Sequence, residues 1–243
     1  MLNESSAKPY YEQIKEYILY QINHGELLPH DRVPSERNLS EQFGVSRLTV
    51  SRALKELVLD GKLYTQVGKG TFVSEAPIDQ TLDVLTSFSE EMERRGQLPG
   101  SRVIEAGLVP ANETLSQRLQ IPVGVSVTRL KRVRLANEQP IALETAHIIT
   151  SLCVGMIDRF EFTRNSLYRV LQTHYHLRLV YADQEIEARM ATTEEGEMLH
   201  LELPSPILSM TRVTYGEAGQ PIEYVESAYR GDRYKFRARL IHS

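Results

Sequence analysis

A chain of 243 residues, 41% hydrophobic and 25% charged, is long enough to bury one large core or two of ordinary size. No apolar run approaches the length of a bilayer span, and the start MLNESSAKPYYEQ has neither the basic residues nor the apolar stretch of a signal peptide. A cytoplasmic protein of two domains is expected. The single cysteine, Cys153, excludes an intrachain disulfide scaffold and a cysteine-based zinc site, and the net charge of −4 carries no nucleic-acid signal as a total.

In chain order, KPYYEQIKEYILYQINH from Lys8 to His24 puts Tyr10, Ile14, Tyr17, Ile18 and Ile22 on one face, with Pro9 near the first turn and Gly25 just past the end. This predicts a first amphipathic helix. Tyr10, Tyr11, Tyr17 and Tyr20 can be read as a base-stacking platform, but packing of an amphipathic helix is the favoured reading. After a connection from Leu27 to Val33, Ser35 is placed to cap a short helix that Gly44 ends in a left-handed conformation. Ser46 then caps another, whose Val50, Ala53, Leu54, Leu57 and Val58 recur at the spacing of a buried stripe. Its opposite face shows Arg47, Thr49, Ser51 and Arg52. Two helices joined by so short a turn, the second opening on hydroxyls and arginines, have the form of a helix-turn-helix. Gly61-Lys62 closes the second helix, and two short strands, Leu63 to Gln66 and Thr71 to Val73, flank the turn Gly68-Lys69-Gly70. A hairpin there is a wing. From Arg32 to Lys69 seven cations stand against four carboxylates, and it is this local excess that phosphate binding depends on.

PSERNLSEQFGVSRLTVSRALKEL followed by GKLYTQVGKGTFV is similar to the winged-helix head of the GntR family of bacterial transcription regulators, over nearly all of residues 8–74. The resemblance places Arg37 and Arg47 at base edges, where the two-donor fork of arginine fits guanine. Ser46, Thr49 and Arg52 are placed for phosphates, and Lys69 likewise. Gly68 resembles the wing-tip glycine that enters the minor groove. Each has a plainer reading: Arg37 can pair with Glu41 four residues on, Ser46 can be only a cap, and Gly68 can serve only a turn of positive φ.

From Ser74 to Gln80 small and polar residues interrupt both periodicities. The expected division is a DNA-binding head at 1–75, a linker at 76–80 and a second domain at 81–243. In the latter, LTSFSEEMERRG reads as a helix ended by Gly96, VIEAGLVP as a strand, and NETLSQRLQ as a helix opened by Asn112. Two strands follow around the turn Ala136 to Gln139, then the helix SLYRVLQTHYH, the strand LVYADQEIEARMA and the helix TEEGEMLHL. Two final strands are joined at Gly216 to Gln220. Hairpins with helices between them predict an α+β domain on an antiparallel sheet. TSFSEEMERRG, RLKRVRLANEQPIALET, SLYRVL and PIEYVESAYRGDRYKF are similar, in order and spacing, to the effector-sensing (UTRA) domain of the HutC branch of that family, whose fold is related to chorismate lyase.

Arg132 and Arg134 lie two apart on a predicted strand, hence on one face, with Leu130 before them. Paired arginines suit phosphate or carboxylate in a geometry lysine cannot copy. The resemblance implies that Ser89, Arg132, Arg134, Ser166 and Tyr168 hold the acidic group of a small effector, and that Phe88, Glu144, Glu223 and Tyr229 contact the rest. Surface ion pairs, helix caps and ring packing are the plainer readings. The anion-binding set most resembles that of the members that sense amino-sugar phosphates; urocanate, other sugar phosphates, fructosamine derivatives, phosphate and phosphonates, to which other members of the branch respond, stay open. The whole implies a dimeric, ligand-controlled repressor on a palindromic operator, with no metal and no cofactor. An enzyme of lyase-like fold is the rival, but no nucleophile–base pair is evident, and His147, His174 and His176 fall in no ligand motif. A third reading is an architectural DNA-binder with an inert docking domain.

Overall fold

A computed structural model describes residues 8–66, 68–74 and 78–240. The chain divides into two compact units, Met1–Ile78 and Asp79–Ser243.

The first unit holds α1 (Tyr10–Asn23), α2 (Glu36–Phe43), α3 (Arg47–Leu59) and the hairpin β1 (Leu63–Gln66) with β2 (Gly70–Val73). Ser35 accepts the Asn38 N–H at the start of α2, and Gly44 ends it at φ 66°. Ser46 does the same for Thr49 at the start of α3. Ile14 and Ile18 of α1, Leu39 of α2 and Val50, Ala53, Leu54 and Leu57 of α3 then meet in one core with Leu63 and Val73 of the hairpin. Three of the expected buried residues of α1 sit at its edge instead: Tyr10 is 42% exposed because it opens the helix, and Tyr17 and Ile22 are only partly buried.

β3 (Ile78–Thr81) starts at the last residue of the first unit, and the second continues with α4 (Phe88–Arg94), β4 (Pro99–Pro110), α5 (Glu113–Leu119), β5 (Ser126–Ala136) and β6 (Gln139–Ile149). There follow a single 3-10 turn, α6 (Met156–Arg159), α7 (Leu167–His174), β7 (Tyr181–Met190), α8 (Thr193–Leu199), β8 (Pro206–Tyr215), β9 (Pro221–Arg230) and β10 (Tyr234–Arg237). Six strands make one antiparallel sheet in the order β4-β5-β6-β9-β8-β7. Because side chains alternate along a strand, its two faces carry different cores. Leu130, Ala146, Ile148 and Val225 pack with Met156, Leu167, Val170 and Leu171 of α6 and α7. On the other face Val127, Val213 and Tyr224 pack with α5, and Val133 and Leu143 pack with Leu199 of α8.

The expected linker at 76–80 needs correcting. Residues 75–77 lie outside the described residues, but Ile78–Thr81 is strand, paired with β10, and Gln80 accepts from the Tyr234 hydroxyl at 2.6 Å. Its partner β10 was not foreseen either; two strands were expected at the end of the chain and three are present. The helix expected from LTSFSEEMERRG starts only at Phe88, because Ser87 and Glu90 close a reciprocal capping box there.

Ile18 is fully buried between α1 and α3. Ile18→Ala should destabilise the head by about 2–5 kcal/mol, read as a lower urea midpoint for its unfolding; an unchanged midpoint would show that the helices do not share this core.

Candidate functional site

In the first unit the residues singled out in sequence lie on the opening turns of α2 and α3 and at the hairpin tip. Arg47 and Lys69 are exposed and make no ion pair among the described residues. Arg37 is exposed too, but its Nε donates to Glu41 at 2.8 Å, the plainer pairing named above. Ser46 is occupied as the cap, with its Oγ 2.8 Å from the Thr49 hydroxyl. Arg52 is the most constrained of them. Its guanidinium lies 3.7 Å over the Tyr11 ring and donates to Glu56 at 3.1 Å. Gly68 has φ 72° and open space around it. At Gly70, φ 120°, a Cβ would come within 2.8 Å of Arg32 Nε, so Arg32 lies against the hairpin. Sequence reasoning missed that arginine as a wing residue, since only the bridge from Arg32 to Phe72 brings it there.

In the second unit eight of the nine effector-site candidates line one cavity. Phe88 comes from the start of α4, Ser166 and Tyr168 from the start of α7, Arg132 and Arg134 from β5, Glu144 from β6, and Glu223 and Tyr229 from β9. Ser89, the ninth, stands behind it and accepts from Arg134 Nη2 at 3.2 Å. The even-numbered positions of β5 and the register Arg132↔Glu144 put the arginines and the carboxylate on the same face. About 490 Å³ of space, part of it open to solvent, lies between these walls.

Charge is what distinguishes this cavity. Arg132 and Arg134 are 2% and 3% exposed, and Glu144 accepts from Arg132 Nη2. Nε and Nη1 of Arg132 and Nε of Arg134 are buried without a hydrogen-bond partner among the described residues. A buried donor left unpaired costs about 1–3 kcal/mol, more when charged. Burial and the neighbouring Arg132 charge lower the Arg134 pKa to about 10, so it stays cationic at neutral pH. Burial would raise the Glu144 pKa, but Arg132 and Arg134 outweigh it and hold the carboxyl below its usual range. Glu223 moves the other way, to about 7, through burial and the nearby Glu144 charge, against the pull of Arg212 and hydrogen bonds from Tyr168 and Thr214. The Tyr168 and Thr214 hydroxyls donate to one Glu223 oxygen at 3.1 and 3.2 Å. The Arg134 guanidinium lies over the Phe88 ring, 4.5 Å from Cζ to ring centre. Three lining guanidiniums thus face two carboxylates, one of which is half protonated near neutrality.

Arg212 is the third guanidinium, and sequence reasoning missed it. It is held by two bonds to Gln184, at 2.9 and 2.6 Å. Its signal was its place in the alternation Met210, Arg212, Thr214, a face that β9 completes with Glu223 and Val225. Thr86, Ser87 and Gln80 also line the cavity and were not foreseen.

A capped helix pair with a hairpin wing, followed by an antiparallel α+β unit enclosing a cationic pocket, defines a winged-helix DNA-binding protein with a ligand-sensing domain. Comparison with known proteins makes this specific. The model "Bacterial regulatory proteins, gntR family" matches residues 10–73, and that of the UTRA domain matches 94–235. The HTH-type transcriptional repressor NagR of Bacillus subtilis is 42% identical over 97% of this chain and 96% of its own. The mannosyl-D-glycerate transport/metabolism system repressor MngR of Escherichia coli is 35% identical over 94% and 95%. The histidine utilization repressor of Klebsiella aerogenes is 30% identical over 97% and 96%. Among solved structures, PhnF from Mycobacterium smegmatis superposes with a TM-score of 0.66 at 26% identity, covering 97% of this chain and all of that one. The chain belongs to the GntR family, in its HutC branch with a UTRA domain. It is a ligand-responsive transcriptional repressor that binds operator DNA and a small-molecule effector, and not an enzyme. No helix among the described residues is long and apolar enough to cross a membrane.

The Glu223 pKa, about 7 when folded against an ordinary 4.5, has a consequence for stability. A raised acid pKa means the folded state takes up a proton the unfolded chain does not, so this contribution is full below about pH 4.5 and is lost as pH rises through about 7. Glu223→Gln, which copies the protonated form, should gain on the wild type by on the order of 3 kcal/mol between pH 4 and pH 8. Urea unfolding of both proteins at the two pH values checks this; a pH-independent difference between them would contradict it.

Proposed function

We propose that this repressor binds a palindromic operator as a homodimer in the cytoplasm and is released from it by a small anionic effector, an amino-sugar phosphate before other acids, held in the cavity between β5, β9 and the first turns of α4 and α7. The observation that carries the reading is the pair of buried guanidiniums, Arg132 and Arg134, with three N–H donors unpartnered among the described residues. A sugar phosphate near neutrality carries between one and two negative charges, which complements three guanidiniums facing Glu144 and a half-protonated Glu223. Tyr229, Glu144 and Glu223 supply the hydroxyl and carboxylate partners that a polar sugar body requires. The similarity of the second unit to UTRA domains and of the whole chain to NagR supports the class of effector.

For control, the effector must prefer the form of the protein that binds DNA weakly. Equal affinity for both forms shifts nothing, however tight the binding. In the head, Arg47 is assigned to a base edge and Lys69, with Ser46 and Thr49, to the backbone. Arg37 and Arg52 join them only by exchanging their Glu41 and Glu56 partners for DNA.

Two measurements test this. Glucosamine 6-phosphate or its N-acetyl derivative at a hundred times its Kd should stabilise the protein by about 2.7 kcal/mol in a thermal scan. Arg132→Lys, which keeps the charge and loses the fork, should abolish most of that shift. A full shift in the variant, or none in the wild type with any phosphorylated sugar, contradicts the assignment. On an operator selected from random DNA, Arg47→Ala should cost about 1–3 kcal/mol at one base position, whereas Lys69→Ala should weaken all sequences alike and reduce the salt slope by about one. The effector should lower operator affinity in the same gel-shift titration, and a bound effector that leaves it unchanged rules out release.

A further inference from the structure

Leu48 is 81% exposed on the first turn of α3. Nothing in the packing of the helix explains it. The core takes Val50, Ala53, Leu54 and Leu57, and the opposite stripe at the same spacing is Leu48, Ser51, Arg52 and Lys55. A leucine on that stripe stands among hydroxyls and cations, where a polar residue would serve solubility better. Leu48 also follows Arg47, the exposed arginine with no ion pair among the described residues, and precedes Thr49, whose hydroxyl is held by Ser46. A shallow hollow runs along this face, lined by Tyr11, Leu48, Thr49, Ser51, Arg52, Lys55 and Glu56, whose carboxylate is taken up by Arg52 and Lys15. One wall of it is fixed, because Arg52 is stacked on Tyr11 and bonded to Glu56.

We propose that Leu48 is a specificity-determining residue of the repressor and reads a thymine by contact with its C5-methyl group. The inference rests on the reading that α3 enters the major groove by its N-terminal turn. In that groove each base pair shows hydrogen-bonding groups except at the thymine methyl, the one apolar feature there. An apolar side chain with no bonding atoms can discriminate only there. The flanking positions supply what a leucine lacks: Arg47 carries a fork for a neighbouring guanine, and Lys55 a charge for the backbone. The selected half-site should therefore hold a thymine at a fixed step from the base that Arg47 reads.

The test removes the methyl and nothing else. An operator is selected from random DNA with the full-length wild-type protein, and each thymine is replaced in turn by deoxyuridine. At one position per half-site the wild type should lose about fourfold in affinity, the worth of one buried carbon. Leu48→Ala should bind the thymine operator more weakly and show no preference between thymine and uracil at that position. Its unfolding midpoint should match the wild type, since the side chain touches no core. Three results overturn the proposal: a wild type indifferent to uracil at every position, a variant that keeps the wild-type sensitivity, or a half-site with no thymine near the Arg47 base. Failure to select any operator defeats the DNA reading of α3 itself, and so is distinguishable from these.

Discussion

Two like charges held side by side in a protein interior are the constraint around which the second unit is built. Arg132 and Arg134 occupy neighbouring positions on one face of β5 and are almost wholly removed from water. Their mutual repulsion grows as the surroundings become less polarisable, and burial of each charge adds its own desolvation cost. Glu144 answers most directly, from the facing position on β6. Ser89 and the Phe88 ring answer from α4. The compensation is incomplete, and the unpartnered guanidinium donors measure the shortfall. An anion that reached them would offset it. The free energy that destabilises the ligand-free pocket is then available to favour whichever form of the protein binds the ligand better.

The surrounding fold sets where the walls of that arrangement begin. The capping box at Ser87 fixes where α4 begins, and the Ser166 cap fixes α7, so both helices present their first turns to the cavity. Tyr168, one residue into α7, reaches across to Thr214 and Glu223 on adjacent strands. A change in the protonation of Glu223, or in what it bonds to, is thereby felt by a helix and two strands at once. In the head the priorities are reversed. Its core among the described residues is apolar, and Arg37 and Arg52 stand outward, bonded to Glu41 and Glu56. Apolar and charged residues are separated there by helix face, whereas in the pocket they share one surface.

Much of this was legible in the sequence, for reasons that differ by element. Local rules sufficed for the head: Ser35, Gly44 and Ser46 mark helix ends by their own chemistry, and the spacing from Val50 to Leu57 shows which face is buried. In the second unit, alternation placed Arg132 and Arg134 on one face, but Glu144 stands opposite Arg132 only because the ladder shifts by one residue between Arg134 and Leu135, which the turn at Asn137-Glu138 does not foretell. Long-range pairing was not legible. Arg212 belongs to the cavity because β8 runs beside β9, and β3 exists only because β10 returns to it. Neither pairing leaves a trace in local composition, so part of the expected linker proved to be strand. Tyr10 and Arg52 show a subtler limit. Periodicity assigned their faces, but their partners, solvent for one and the Tyr11 ring for the other, depend on where a helix starts and on what packs beside it.

The most direct test of the central claim is a crystal structure of the full-length protein grown with glucosamine 6-phosphate. The phosphate should lie within about 3 Å of both Arg132 and Arg134, with the Arg132 bond to Glu144 lengthened or broken and the cavity wider than in the ligand-free form. A phosphate bound elsewhere, with the two arginines and Glu144 left as they are, would show that the buried pair is structural and that the sensing site lies in another part of the molecule.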